Sequence, residues 1–223
     1  MGILYIVATP IGNLEDISNR ALRILSEADL ILCEDTRQTR KLTERYGIKT
    51  PLLSYHQHSE IKKKKEIMEF LKEGKVLALV SDAGSPGISD PGNKLISELL
   101  KLNIEELRII PIPGPSALLA AASISGFPTD RFLFLGFPPA KKKRNKFFEE
   151  AANSKYPVVI YESPFRIIRT LEDLSGVVKE RDVVVCRELT KKFETVYRGN
   201  IKEVTEIIKK EGPRGEFVIV LEA

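Results

Sequence analysis

At 223 residues and 43% hydrophobic, the chain can bury a substantial core, as one large domain or two small ones, without staples. Cys33 and Cys186 sit in separate apolar runs and read as buried thiols of a reducing compartment; with His56 and His58 the only histidines and no CxxC or HExxH spacing, a disulfide framework and a zinc site are both disfavoured. The net charge of +4 is modest, no apolar run approaches the ~18–20 residues of a membrane span, and the N-terminus lacks a basic flank and a cleavage site, so the expectation is a cytoplasmic protein with no membrane partner.

Apolar runs of strand type recur at residues 4–8, 30–33, 76–80 and 107–112, and segments 18–25, 36–46 and 62–71 carry helical spacing. This alternation predicts an α/β domain with a mainly parallel sheet. Pro111-Ile112-Pro113-Gly114-Pro115 cannot continue a helix or a central strand and predicts a linker, which divides the chain into domains 1–113 and 114–223. Residues 116–123 read as a helix with Ser116 as a candidate N-cap. Strand runs then follow at 131–137, 158–161, 183–187, 193–198 and 216–221, with helices near 164–174 and 201–210. The closer strand spacing predicts a mixed sheet in a second α/β domain.

The run 76–80 leads into Ser81-Asp82-Ala83-Gly84-Ser85-Pro86-Gly87-Ile88-Ser89-Asp90-Pro91-Gly92. Glycine lets backbone approach a ligand or turn at positive φ, proline stiffens the loop, and aspartate accepts hydrogen bonds from hydroxyls or amines. A plain βα turn takes about two to six residues, so twelve without a helix pattern predict a binding loop. Ligands of open α/β sheets lie beyond the carboxyl ends of strands, and the other unusual loops follow strands too. They are Thr9-Pro10-Ile11-Gly12-Asn13, Glu34-Asp35-Thr36-Arg37, Pro113-Gly114-Pro115-Ser116, Tyr161-Glu162-Ser163-Pro164-Phe165-Arg166 and Arg187-Glu188-Leu189-Thr190-Lys191-Lys192. Six converging loops would form one cleft between the domains. Neither GxGxxG nor GxxxxGK[ST] occurs, and no Ser-His-Asp set can be assembled. A cleft without nucleophile or metal suits group transfer in which a cofactor carries the reactive group. Positive charge gathers in Lys62-Lys63-Lys64-Lys65 and in Lys141-Lys142-Lys143-Arg144 with Lys146; joined by Arg37, Arg40 and Lys41, it predicts salt-dependent contacts to nucleic-acid phosphates.

These loops, in this order along nearly the whole chain, resemble the small-subunit ribosomal RNA methyltransferases of the tetrapyrrole methylase superfamily. The resemblance implies two α/β domains of the class III methyltransferase type, S-adenosylmethionine in an interdomain cleft, a homodimer, and as substrate the ribose 2'-hydroxyl of a cytidine in the decoding region of 16S-type rRNA, naked or within the small subunit. It implies that Pro10, Asp82, Ala83, Gly84, Ser85, Gly87, Ser116 and Ala117 contact the cofactor from one side and Tyr161, Glu162, Leu189 and Thr190 from the other. The family often reads Tyr-Glu-Ser-Pro-His-Arg where this chain has Phe165, so no imidazole base is available there. By loop position Glu34, Asp35, Glu188 and Lys191, the last if its pKa is depressed, are candidates to accept the hydroxyl proton; they serve equally as ion-pair partners of Arg37, Arg187 or Arg166 that fix the loops. Methylation of a corrin precursor and a non-catalytic RNA-binding assembly role are the alternatives.

Overall fold

The computed structural model describes residues 2–56, 61–90, 92–101, 106–178 and 181–223. His58, Pro91 and the side chain of Lys62 lie outside the described residues. The chain divides into two compact units, Met1–Ser116 and Ala117–Ala223.

The first unit alternates strand and helix: β1 (Ile3–Val7), α1 (Asn19–Glu27), β2 (Leu30–Cys33), α2 (Thr36–Arg45), β3 (Leu52–Ser54), α3 (Ile61–Lys72), β4 (Val76–Val80), α4 (Asn93–Lys101) and β5 (Arg108–Ile112). The strands form one sheet in the order β3-β2-β4-β1-β5, and every pairing is parallel. A strand buried on both faces must be apolar at every position, and Leu77-Ala78-Leu79-Val80 meets that demand. Ala78 and Val80 join Ala21, Leu25 and Leu42 of α1 and α2 on one face. Leu77 and Leu79 join Ile67, Leu71, Leu95 and Leu99 of α3 and α4 on the other.

The linker expected from Pro111 onward begins later. Pro111 and Ile112 belong to β5, paired with Ile6 and Val7. Because β5 is an edge strand, the missing proline N–H leaves no ladder partner unmatched. Pro113 to Ser116 go with the first unit, and a Cβ built on Gly114 would lie 3.0 Å from the Ala8 Cβ, so a side chain there would press Ala8 aside by a few tenths of an ångström.

The second unit contains α5 (Ala117–Ile124), β6 (Leu133–Gly136), α6 (Arg144–Ala152), β7 (Val158–Glu162), α7 (Ile167–Val178), β8 (Asp182–Arg187), β9 (Thr195–Asn200), α8 (Ile201–Glu211) and β10 (Phe217–Leu221). The sheet order is β6-β7-β10-β8-β9. It is mixed: β6 and β7 are parallel, while β10 runs antiparallel to both β7 and β8, and β9 antiparallel to β8. One face carries the core built from Val158, Ile160, Val183, Val185, Phe217 and Ile219 with α6, α7 and α8. Helix α5 lies against β7 and β10.

The apolar pattern does not announce β3, α4 or α6. β3 is three half-buried residues at an edge. Leu95 and Leu99 of α4 have helical spacing, but they follow directly on the long glycine and proline loop. The core side chains of α6, Phe148 and Ala151, stand behind a basic run. Cys33 and Cys186 are buried free thiols, and no described helix is long and apolar enough to cross a membrane.

Gly114→Ala presses a methyl group onto Ala8 and is expected to cost about 1–3 kcal/mol, the range for overpacking a tight contact. Urea denaturation should show that loss, and Ala8→Gly in the same chain should return part of it.

Candidate functional site

In the first unit the strand order places the ends of β2, β4, β1 and β5 side by side at one sheet edge, and the loops behind them are tied together. Thr9 and Gly84 exchange both backbone hydrogen bonds, the Thr9 amide donating to Gly84 at 2.9 Å and the Gly84 amide to Thr9 at 3.0 Å. The Thr9 hydroxyl donates to the Ser81 carbonyl at 3.1 Å, and the Ser81 hydroxyl donates to the Gly84 carbonyl at 3.1 Å. The Asp35 amide donates to Asp82 at 3.2 Å, which joins the β2 loop to the β4 loop. Gly84 and Gly87 stand at φ +77° and +85°, where a side chain would be strained. The Asn93 side chain, at the start of α4, donates to the Gly87 carbonyl at 2.6 Å and closes the loop. The edge thus brings together Pro10, Asp82, Ala83, Gly84, Ser85 and Gly87 with Glu34 and Asp35, and Ser116 ends the β5 loop.

This edge is acidic. Asp90 is not among the residues expected to contact the cofactor; burial raises its carboxyl to about 6, helped by the negative charge of Glu34 and Asp82 and opposed by a hydrogen bond with Ser81. Among the described residues no lysine or arginine is paired with Glu34, Asp82 or Asp90. The sequence signal was available in the second aspartate of the loop, but burial and crowding by two other carboxylates are tertiary properties.

Asp35 has another task. It caps α2 by accepting the Arg37 amide at 2.8 Å, and the Arg37 guanidinium pairs with it at 2.7 Å. These hydrogen bonds hold its carboxyl down at about 2, which removes it as a proton acceptor near neutral pH. Arg37 is paired with Asp35 while its side chain stays 87% exposed, so a phosphate would share it with that carboxylate. Arg40 and Lys41 are exposed on the same helix.

In the second unit β6, β7 and β8 run in one direction and end at one edge. Tyr161 sits edge-on to Phe134 and Phe137, at ring distances of 4.9 and 5.5 Å, and its hydroxyl accepts the Leu118 amide at the start of α5 at 3.0 Å. Ala117 is the first residue of that helix. Leu189 is buried, and Thr190, at φ +67°, donates its amide to Glu194.

Glu162, Arg144, Lys191 and Glu188 are engaged by neighbouring groups of the fold. Glu162 is only 1% exposed; one oxygen accepts the Ser163 amide and pairs with Arg166 at 2.8 Å, and the other accepts the Thr170 hydroxyl at 2.6 Å. It positions the β7 loop, with both oxygens already engaged by neighbouring groups. Arg144 is 4% exposed; it donates to Asp173 at 2.7 Å, to Thr170 at 2.8 Å and to the Pro139 carbonyl at 3.1 Å. It therefore cannot reach a phosphate, whereas Lys141, Lys142 and Lys143 are exposed. Lys191 pairs with Glu188 at 2.9 Å and Glu216 at 2.7 Å. Burial pulls its pKa down, but the two carboxylates outweigh burial and leave it above the ordinary lysine value, the opposite of what a lysine base needs. In Glu188 burial raises the pKa, while the Glu216 amide and Lys191 outweigh it and hold the carboxyl low.

Comparison with known proteins agrees with this architecture. A family model described as Tetrapyrrole (Corrin/Porphyrin) Methylases matches residues 3–205. A protein of Thermotoga maritima named Ribosomal RNA small subunit methyltransferase I is 46% identical over 221 residues, 99% of this chain and 98% of that one. Its namesake from Bacillus subtilis is 44% identical over 223 residues, 100% of this chain and 75% of that one. Among solved structures, diphthine synthase matches with a TM-score of 0.75 at 16% identity, covering 99% of this chain and 90% of that one. The cobalt precorrin-4 methyltransferase CbiF matches with a TM-score of 0.72 at 18% identity, covering 99% and 94%. At these identities the two structures establish the fold, that of the class III methyltransferases.

Two variants test this description. Asp90 keeps its proton in the folded protein up to about pH 6, above its ordinary value, so stability falls as pH rises from about 4 to 6 and stays lower beyond. Solvent screening of this half-buried group limits the effect to about 1 kcal/mol; Asp90→Asn should raise Tm at pH 8 by about 2–4 °C and leave it unchanged at pH 4. Arg144→Ala strips Asp173 and Thr170 of a buried partner and should cost about 2–4 kcal/mol in urea denaturation, with Arg144→Lys restoring only part.

Proposed function

The chain belongs to the tetrapyrrole methylase family, and on that footing we propose that it transfers a methyl group from S-adenosylmethionine to the ribose 2'-hydroxyl of a cytidine in the decoding region of small-subunit ribosomal RNA, acting as a homodimer. The observation that carries this reading is the identity, sustained over almost the whole chain, with proteins named as small-subunit rRNA methyltransferases. The corrin reading rests on the broad family description and on similarity of fold at 18% identity.

The first unit fits the cofactor. Gly84 and Gly87 let the β4 loop present bare backbone, and carboxylates without a paired cation suit a ligand positively charged at its sulfonium and its amine. Pro10, Asp82, Ala83, Gly84, Ser85, Gly87 and Ser116 would hold it from this unit, and Ala117, Tyr161, Leu189 and Thr190 are the candidates from the second. When bound, S-adenosylmethionine supplies an already activated methyl group. The protein's share is to hold the hydroxyl oxygen, methyl carbon and sulfur in line and to exclude water.

The hydroxyl is a weak nucleophile, and a base that takes its proton late in transfer contributes about 10²–10⁴-fold. Asp35, Glu188 and Lys191 are committed to ion pairs, which leaves Glu34 of the four candidates. Lys141, Lys142, Lys143 and Arg40 would supply phosphate contacts.

The test is transfer of radiolabelled methyl from S-adenosylmethionine to small subunits isolated from cells lacking this gene, followed by nucleoside mass analysis. A 2'-O-methylated cytidine is expected, and Glu34→Gln should lower kcat by about 10² while cofactor affinity is kept. Cofactor binding without transfer to the subunit would overturn the RNA assignment.

A further inference from the structure

Three phenylalanines stand out on the second unit because a folded chain gains nothing by leaving them in water: Phe165 is 95% exposed, Phe193 66% and Phe137 50%. All three lie in loops that leave the carboxyl ends of β7, β8 and β6, and those ends share one sheet edge. Adjacent strands are about 4.8 Å apart, so in the order β6-β7-β10-β8 the three loops arise within about 15 Å. Lys192 sits 5.6 Å from the ring centre of Phe193, and the exposed run of Lys141, Lys142 and Lys143 follows Phe137.

These cations are uncompensated, whereas their neighbours are not. Lys191 is held by Glu188 and Glu216, Arg166 by Glu162, and Glu194 is occupied by the Thr190 amide; among the described residues no carboxylate is paired with Lys141, Lys142, Lys143 or Lys192. The lysine run also works against local stability. It precedes the N-terminus of α6, where the helix dipole repels positive charge, and Lys143 takes a left-handed conformation at φ +66° without a side-chain cap. Glu188 and Thr190, in the loop that carries Phe193, are left-handed as well. Strain and like charge concentrated at one edge are tolerated where a partner offsets them.

We infer that this edge is a stacking platform for single-stranded RNA, with Phe165 and Phe193 each taking the face of a splayed base and Lys141 to Lys143 and Lys192 meeting the phosphates between them. Exposed aromatic rings interleaved with unpaired lysines match the two chemistries of a nucleotide strand, flat π-faces and a polyanionic backbone. Phe165, which denies this chain an imidazole, thereby serves acceptor binding. The inference rests on the RNA reading proposed above and deepens it by naming where the strand lies.

The chain has no tryptophan, so Phe165→Trp places a single fluorescent reporter at a position too exposed to disturb the core. Titration with a ten-residue oligocytidylate should quench its emission by about half or more. Raising salt from 50 to 200 mM should weaken binding roughly 50-fold, as for about four phosphate contacts on a single strand. Adding Phe193→Ala should weaken it at least about fivefold, the lower end for losing one stacked base. Unchanged emission at saturating RNA, or binding indifferent to Phe193→Ala, overturns the platform. So does a Phe165→Ala/Phe193→Ala protein that binds RNA normally but changes oligomeric state in sedimentation, because the face would then cover a second copy of the chain. Methyl transfer to small subunits by the unaltered protein separates the two readings: transfer without quenching removes this inference alone, and quenching without transfer keeps the platform and removes the proposed acceptor.

Discussion

The strands that lead into the unusual loops point the same way within each sheet, and that common direction is the constraint on which the rest of the molecule depends. Parallel pairing of β1 with β4 and β5, and of β2 with β4, sends four chain segments out at one edge, where backbone groups no longer satisfied by the ladder need other partners. The Thr9–Gly84 bridge supplies some of them and prevents the two central loops from separating. Glycine at positive φ in the β4 loop, and at 114 against Ala8, follows from that crowding. In the second unit a mixed sheet reaches the same result, because β10 between β7 and β8 restores their common direction.

The electrostatics of the two edges differ in what is left unpaired. At the first, Arg37 pairs with Asp35, and among the described residues Glu34, Asp82 and Asp90 have no paired cation; burial, helped by the charge of Glu34 and Asp82, raises Asp90 to about 6. At the second, Glu162, Glu188 and Glu216 are consumed by arginine and lysine, and it is lysines that remain. An acidic edge suits a cationic ligand and a basic one a polyanion. Residues of one chemical type divide accordingly: Arg144 and Lys143 are neighbours in sequence, yet one is a buried organiser of Asp173, Thr170 and the Pro139 carbonyl and the other an exposed charge.

Much of the architecture was legible because it depends on periodicity and local chemistry. Continuous apolar runs and helical spacing between them marked the parallel sheet, the glycine-proline-aspartate run behind residues 76–80 marked the long loop at its edge, and the denser strands of the second half marked a mixed sheet. The absence of nucleophile, metal and P-loop spacing pointed to a borrowed reactive group. Less legible were elements whose signal is short or interrupted, such as β3, α4 behind its loop and α6 behind its lysines, and Pro111, whose place in a strand is permitted only because β5 lies at an edge.

What the sequence alone determined, then, is the alternation of the longer strands and helices, the unusual loops behind the strands and the family they resemble, since each is written in residue type and spacing along the chain. The tertiary structure decided the state of each group. Which arginine is buried, which carboxylate keeps its proton, why Lys191 holds its charge and why Phe137, Phe165 and Phe193 arise from one edge all follow from neighbours distant in sequence. Burial and pairing are sums over those neighbours, and no local pattern records them.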